Sequence, residues 1–316
     1  GTHTMYNNIV DMGIYAGIFT KKLWHAGVSV ANGAAAIIAT YPSPNSAANA
    51  AEAFSKWSNL IGDPALHLWS AVPINFNIDH PSSIPLGTTM IELTVKDESN
   101  MLVKDARVTL LMGEDIIFST GFSDENGQVT LDWDAIETGS MSIVVTKRNH
   151  RPYESMIEIA SSAVAVSMDF ELINVISGEN TDFDITLHNH GILPAFNVMA
   201  ELSSPSEYVM IDEGVLFYGN ILPDASVSRS FPVYVTGTAF DMEDLDFKLH
   251  IIDDSGNSWI NLVPVNVIGP YLLIDENMSV AYPGGSADMA ITLHNMGSSA
   301  FNDFTFELSS FDDLII

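Results

Sequence analysis

Apolar residues recur at helix spacing near the start of the chain: Met5, Ile9, Met12, Ala16 and Phe19 follow i, i+4, i+7, i+11, i+14 and predict a first helix. A second is predicted over Leu23 to Ala39. A third comes after the Tyr41-Pro42-Ser43-Pro44 break, with Asn45 or Ser46 as its cap and Ala50, Phe54 and Trp57 on one face. Gly62-Asp63-Pro64 ends it, and Ala65-Leu66-His67-Leu68-Trp69 reads as a short strand. After Val72-Pro73 the period becomes two and stays so. In Ile91-Glu92-Leu93-Thr94-Val95 and Val129-Thr130-Leu131-Asp132-Trp133, apolar and polar side chains alternate as on a half-buried sheet.

Turn signals at Asp97 to Asn100, Glu125-Asn126-Gly127 and Glu137-Thr138-Gly139 come at hairpin spacing. They predict one β-sandwich over about residues 73–160. The rest carries an internal repeat. Ile185-Thr186-Leu187-His188-Asn189 returns as Ile291-Thr292-Leu293-His294-Asn295, and Glu201-Leu202-Ser203-Ser204 returns as Glu307-Leu308-Ser309-Ser310, both 106 positions on. Ala195-Phe196-Asn197 maps to Ala300-Phe301-Asn302 with one residue lost between, the tolerance expected of a surface loop. One sandwich per repeat is expected, over 161–268 and 269–316. Ile316 aligns with Met210, so the second copy is expected to lack a counterpart to 211–268 and to be marginal by itself.

Composition changes the picture in two ways. Eleven basic against forty acidic residues give a net charge of -29, which repels nucleic acid and anionic membrane surfaces. No apolar run is long enough to span a membrane, and Gly1 to Met5 have neither the basic start nor the apolar core of a signal peptide. The absence of cysteine excludes disulfides, thiolate zinc sites and a cysteine nucleophile within these residues.

The run Asn59-Leu60-Ile61-Gly62-Asp63-Pro64-Ala65-Leu66-His67-Leu68-Trp69 resembles the end of the gingipain-type cysteine peptidase domain, where such a run closes a caspase-like α/β fold. Tyr6-Asn7-Asn8, Gly13-Ile14-Tyr15 and Ala26-Gly27 resemble the helices that come after that family's catalytic loop. The resemblance covers residues 1–72. It implies a multidomain, mainly β chain: a helical C-terminal fragment of a caspase-like domain, then immunoglobulin-like β-sandwiches. It also implies export to the cell surface or beyond, and protein or peptide substrates met through a catalytic part outside this chain. The family's His and Cys dyad has no counterpart here, so no catalytic residue carries over. One departure is Gly33-Ala34-Ala35, where a lysine is expected after the glycine. The alternative reading is a non-catalytic adhesion or stalk protein built from repeated sandwiches, in contact with other surface or extracellular proteins.

Other candidate chemistry is weaker. His188-x-His190 has the spacing of a metal pair, yet the repeat has Met296 in the matching place, which favours a structural role. Asp241, Glu243, Asp244 and Asp246 are a set of the kind that binds calcium, without EF-hand spacing, and read first as a solvated loop or edge strand. Asp253-Asp254-Ser255-Gly256-Asn257 reads as a hairpin turn and Asp63 as a turn residue before proline. His3, His25 and His67 are scattered, and Ser123 and Ser203 lie in no nucleophile elbow. No residue is nominated as catalytic, cofactor-binding or metal-ligating.

Overall fold

The computed structural model describes residues 4–42, 46–114, 116–278 and 289–300. Three helices come first, α1 (Thr4–Phe19), α2 (Ala26–Thr40) and α3 (Ser46–Trp57); among the described residues, the remainder of the chain forms strands and turns. The chain is therefore mainly β, as the change of period at Val72 predicts.

The helices meet through small residues. α1 buries Tyr6, Val10, Gly13 and Gly17, and α2 buries Ala26, Ser29, Gly33 and Ile37. A Cβ at Gly13 would lie 2.8 Å from the Ala36 Cβ, and one at Gly33 would lie 2.7 Å from the Val10 carbonyl oxygen, so this approach requires glycine at both places. The Asn32 amide bridges the seam by donating to the Gly13 carbonyl at 2.6 Å. Met5, Met12 and Phe19 consequently face outward at 56%, 70% and 65% exposure. Their spacing marks the helix, but the seam lies on its other side, where the backbones come closest. α3 adds Ala51 and Phe54 to this small core, while Trp57 stays outside. Asn45 and the side chains of Ser46 and Ala50 lie outside the described residues.

The next eight strands are β1 (Phe76–Asp79), β2 (Ser83–Pro85), β3 (Met90–Asp97), β4 (Arg107–Met112), β5 (Ile117–Phe122), β6 (Gln128–Asp132), β7 (Gly139–Thr146) and β8 (Tyr153–Ala160). They form sheets ordered β1-β3-β6 and β2-β8-β7-β4-β5. Leu93, Val95 and Leu131 of the first share one core with Val108, Leu110, Ile143 and Ile157 of the second. The turns at 124–127 and 137–139 are not hairpins. Each joins strands of opposite sheets, β5 to β6 and β6 to β7. Only Gly127 of Asn126-Gly127 has positive φ, at 70°, whereas a tight type I′ hairpin needs it at both residues. The Asp124 carboxylate fixes the turn instead, accepting from the Asn126 and Gln128 amides at 2.8 and 2.7 Å.

A second β region comes next, with β9 (Val166–Met168), β10 (Ile173–Ile176), β11 (Asn180–Asn189), β12 (Ala195–Ser203), β13 (Val209–Ile211), β14 (Val215–Ile221), β15 (Ser226–Val235), β16 (Lys248–Ile252), β17 (Ser258–Leu262) and β18 (Val265–Ile268). Sheets β13-β15-β11-β9 and β14-β12-β16-β17, with the parallel pair β10-β18, close over Phe183, Phe231, Phe247 and Trp259. Last come β19 (Leu272–Met278) and β20 (Met289–Asn295), an antiparallel pair.

One local device recurs at the matching places of the repeat. Asn189 accepts from the Gly191 amide at 2.9 Å and donates to the Leu193 carbonyl at 2.9 Å. Asn295 accepts from Gly297 at 3.1 Å and donates to Ser299 at 2.7 Å. A Cβ on Gly191 or Gly297 would strike backbone at 2.5 or 2.3 Å, which explains the glycine in both copies. The Glu307 to Ser310 match and Phe301-Asn302 lie outside the described residues.

The two larger β regions are joined through Asn261, which is fully buried. Its carbonyl accepts from the Met168 amide at 3.1 Å, and its amide donates to the Gly87 carbonyl at 2.9 Å and the Thr89 hydroxyl at 2.6 Å. Beside it the Trp259 indole donates to the Leu86 carbonyl at 2.9 Å, and the Thr89 amide donates to the Ile260 carbonyl at 3.0 Å. Lys248 and Glu92 form an ion pair across the same junction. Asn261→Ala strands buried polar groups on both sides, each costing about 1–3 kcal/mol. It should lower the melting temperature and split calorimetric unfolding into two transitions. A single unchanged transition would show that the coupling lies elsewhere.

Candidate functional site

The Asn59–Trp69 run folds as a turn and then one bridge, not as a strand. Gly62 takes φ 137°, and the Asp63 carboxylate accepts from the Ala65 amide at 2.8 Å. The chain then runs beside the start of α2: Ala26 and Gly27 donate to the carbonyls of Leu66 and Pro64 at 3.0 and 2.9 Å, and Leu68 donates to Trp24 at 2.7 Å. His25 and His67 pair there as an isolated antiparallel bridge. The strand expected over residues 65–69 is reduced to this contact because Pro64 and the helix start leave room for one bridge. Asp63 is thus a turn residue with its carboxylate engaged locally.

That bridge creates an arrangement the sequence does not announce. The Nε2 atoms of His25 and His67, 42 residues apart, meet at 2.5 Å with rings edge to face. One imidazole must donate and the other accept, so the contact holds one proton between them. Burial holds the His67 pKa below the ordinary histidine range, with the His25 and Arg148 charges adding to the effect. Two imidazoles sharing a proton can relay it or accept a second at electrostatic cost. Nothing beside them supplies a thiol nucleophile for covalent catalysis, since the chain has no cysteine.

The second histidine pair is tied into its own surroundings. The His188 and His190 rings pack at a tilt of 58°, with centroids 4.4 Å apart. His188 Nδ1 meets the Ser226 hydroxyl at 2.8 Å and its Nε2 lies 3.6 Å from Asp224, while His190 Nε2 meets the Ser167 hydroxyl at 2.8 Å. Burial, then the His188 charge, lowers the His190 pKa. Ser123 is a structural clip, accepting from the Ala106 amide at 2.9 Å and donating to the Val103 carbonyl at 2.6 Å.

The carboxylates do not converge. Asp241 accepts from the Gly269 amide at 3.0 Å, and Asp244 from the Asp246 amide at 3.2 Å. Asp253 closes the β16–β17 hairpin, accepting from the Ser255 and Asn257 amides at 3.0 and 2.9 Å. Among the described residues, no group of three or more His, Cys, Asp or Glu side chains is placed to hold a metal ion. Asp132 and Asp246, near the junction of the two larger β regions, both have raised pKa values. Burial is the first cause in each, reinforced by the charge of Asp134 and Asp244 on Asp132 and chiefly of Asp244 on Asp246. No helix among the described residues is long and apolar enough to cross a membrane.

No protein-family profile matches the chain, and no curated protein does. Among solved structures it is distantly similar to the Arg-specific cysteine proteinase gingipain R, at 16% identity and a TM-score of 0.37, over 48% of this chain and 33% of that one. It is similar to the complex of Porphyromonas gingivalis RgpB pro- and mature domains at 18% identity and a TM-score of 0.33, over 43% and 29%. It is also similar to Salmonella alpha-2-macroglobulin reacted with methylamine, at 10% identity and a TM-score of 0.30, over 68% and 18%. The chain spans about a third of the gingipain chain it matches.

Two pH effects result. His67 binds its proton less readily in the fold than in the unfolded chain, so stability is lost as pH falls below the unfolded histidine value of about 6.5. His67→Gln should flatten that part of the melting-temperature profile; an unchanged slope would remove the shared proton from the account. The Asp132 pKa is raised, so its ionised form penalises the fold and the penalty grows as pH rises above the ordinary carboxylate range. Asp132→Asn should therefore raise the melting temperature at neutral pH, with the gain shrinking as the medium is acidified toward pH ~4.

Proposed function

We propose that this chain is the non-catalytic C-terminal part of a secreted gingipain-like cysteine endopeptidase. Residues 1–72 would be the end of its caspase-like domain, and 73–160, 161–268 and 269–316 immunoglobulin-like spacers. The observation that carries this reading is the Asn59–Trp69 run, whose Gly62-Asp63 turn and backbone bonds to Trp24, Ala26 and Gly27 tie it to the helical segment; in this reading it is the closing piece of a larger α/β domain. The outward apolar residues Met12, Phe19 and Trp57 support it, because helices with such faces cover a sheet in α/β domains. In this reading the attacking thiolate and its histidine belong to sequence outside these residues, and protein substrates meet that part. The β regions hold it at a distance from a cell surface or extracellular partner.

A second reading, a stalk or adhesion protein without catalysis, is favoured by one observation. The Asn189 and Asn295 clamps are built alike, as expected of modules multiplied for length.

The purified chain should hydrolyse no peptide, and turnover retained through rigorous purification would contradict its non-catalytic role. The natural gene product, assayed on protein substrates, should lose activity on thiol alkylation. An inactive product whose gene encodes no His and Cys pair would leave the stalk reading.

A further inference from the structure

Of the eleven lysines and arginines, only Lys56, Lys104 and Lys248 form ion pairs among the described residues, so what sets a cation apart here is its clustering with others and not its being unpaired. Three of the eleven, Arg107, Lys147 and Arg148, line one groove of about 650 Å³ between the helical segment and the β4–β7 face. Among the described residues none of the three forms an ion pair, although Asp105 shares the lining. Each is held by a neutral acceptor. Arg107 Nε donates to the Thr120 hydroxyl at 3.2 Å, Arg148 Nη1 to the Ser70 hydroxyl at 2.6 Å, and Lys147 to the Lys104 carbonyl. Their side chains are thus oriented while their charges stay uncompensated. His67 and His150 also line the groove.

The groove also has apolar walls. Trp69 and Phe122 are 51% and 65% exposed. Trp24 also lines it, with the Arg148 guanidinium 3.5 Å from its ring centroid, a cation–π contact that occupies one face of the indole. A sugar acid would stack flat on aromatic faces, and that covered indole is closed to it on this side. Side-chain-sized apolar surfaces beside fixed cations suit a peptide better. On a surface of net charge -29, this groove is also a place where an approaching carboxylate meets local attraction.

We propose that the groove is a binding site for an acidic peptide segment carrying an aromatic side chain, its carboxylates on Arg107, Lys147 and Arg148 and its ring against Trp69 and Phe122. The proposal is independent of whether the chain belongs to a peptidase.

The test is fluorescence anisotropy on the full chain at neutral pH. The probe is a fluorescein-labelled peptide of glutamates with phenylalanine at every third position; its lysine counterpart and a galacturonate oligomer serve as comparisons. The acidic peptide should bind, and the double variant Arg107→Glu/Lys147→Glu should weaken it about tenfold or more. Arg229→Glu, a cation on β15 away from the groove, should leave it unchanged. Trp69→Ala keeps every charge and should also weaken binding, which decides the matter if the double variant folds poorly. Equal binding by the Trp69 and Arg229 variants, no binding of the acidic peptide, or tighter binding of the galacturonate oligomer would each overturn the proposal.

Discussion

One buried primary amide organises the larger part of this molecule. Burying an amide costs several kcal/mol unless its donors and acceptor are used. Asn261 uses them on two separate segments: the loop before β3, through Gly87 and Thr89, and the end of β9, through Met168. Because these partners belong to two different cores, neither β region can shift without leaving polar groups unmatched in a dry place. Gly87 completes the fit. At φ 103° it lies so close to Val166 that a Cβ would meet the carbonyl at 2.5 Å, so the loop seats itself only where no side chain intervenes.

Electrostatics work against this junction and are managed there. Asp132 and Asp246 are pushed toward their neutral forms, and Lys248 with Glu92 supplies opposing charge across it. With forty acidic residues against eleven basic ones, each cation is scarce. Lys248 bridges the two β regions, and Arg148 lies against Trp24 where the helical segment meets the first of them.

The sequence discloses what depends on local periodicity. The three helices, the switch to strands after Val72, the Ile91–Val95 alternation and the Asp253 hairpin are visible because a side chain a few residues away decides them. What depends on distant partners is hidden. Asn261 reads as one more polar position in an alternating strand, and its partners lie 172 and 174 residues away. His25 and His67 form no pattern, since the bridge that joins them depends on the turn at Asp63. The turns at Asn126-Gly127 and Gly139 depart from the expected hairpins for a related reason: turn residues report that the chain reverses, not which sheet it re-enters. The buried face of α1 is invisible to periodicity because glycine contributes nothing to a hydrophobic pattern while permitting the closest packing.

The two kinds of asparagine differ in what a gene can do with them. Two partners of the Asn189 clamp, Gly191 and Leu193, lie beside it in sequence, and the others, Ala165 and Ile221, lie within the same β region, so a duplicated stretch of DNA carries the local part of the device along, as the copy at Asn295 does with Gly297 and Ser299. Asn261 reaches into a preceding region through Gly87 and Thr89. A copy of its strand placed elsewhere arrives without those partners and carries an unmatched amide. Lengthening by tandem copying is thus inexpensive at the 189–193 end of the module, while the contact between the first two β regions resists being reused.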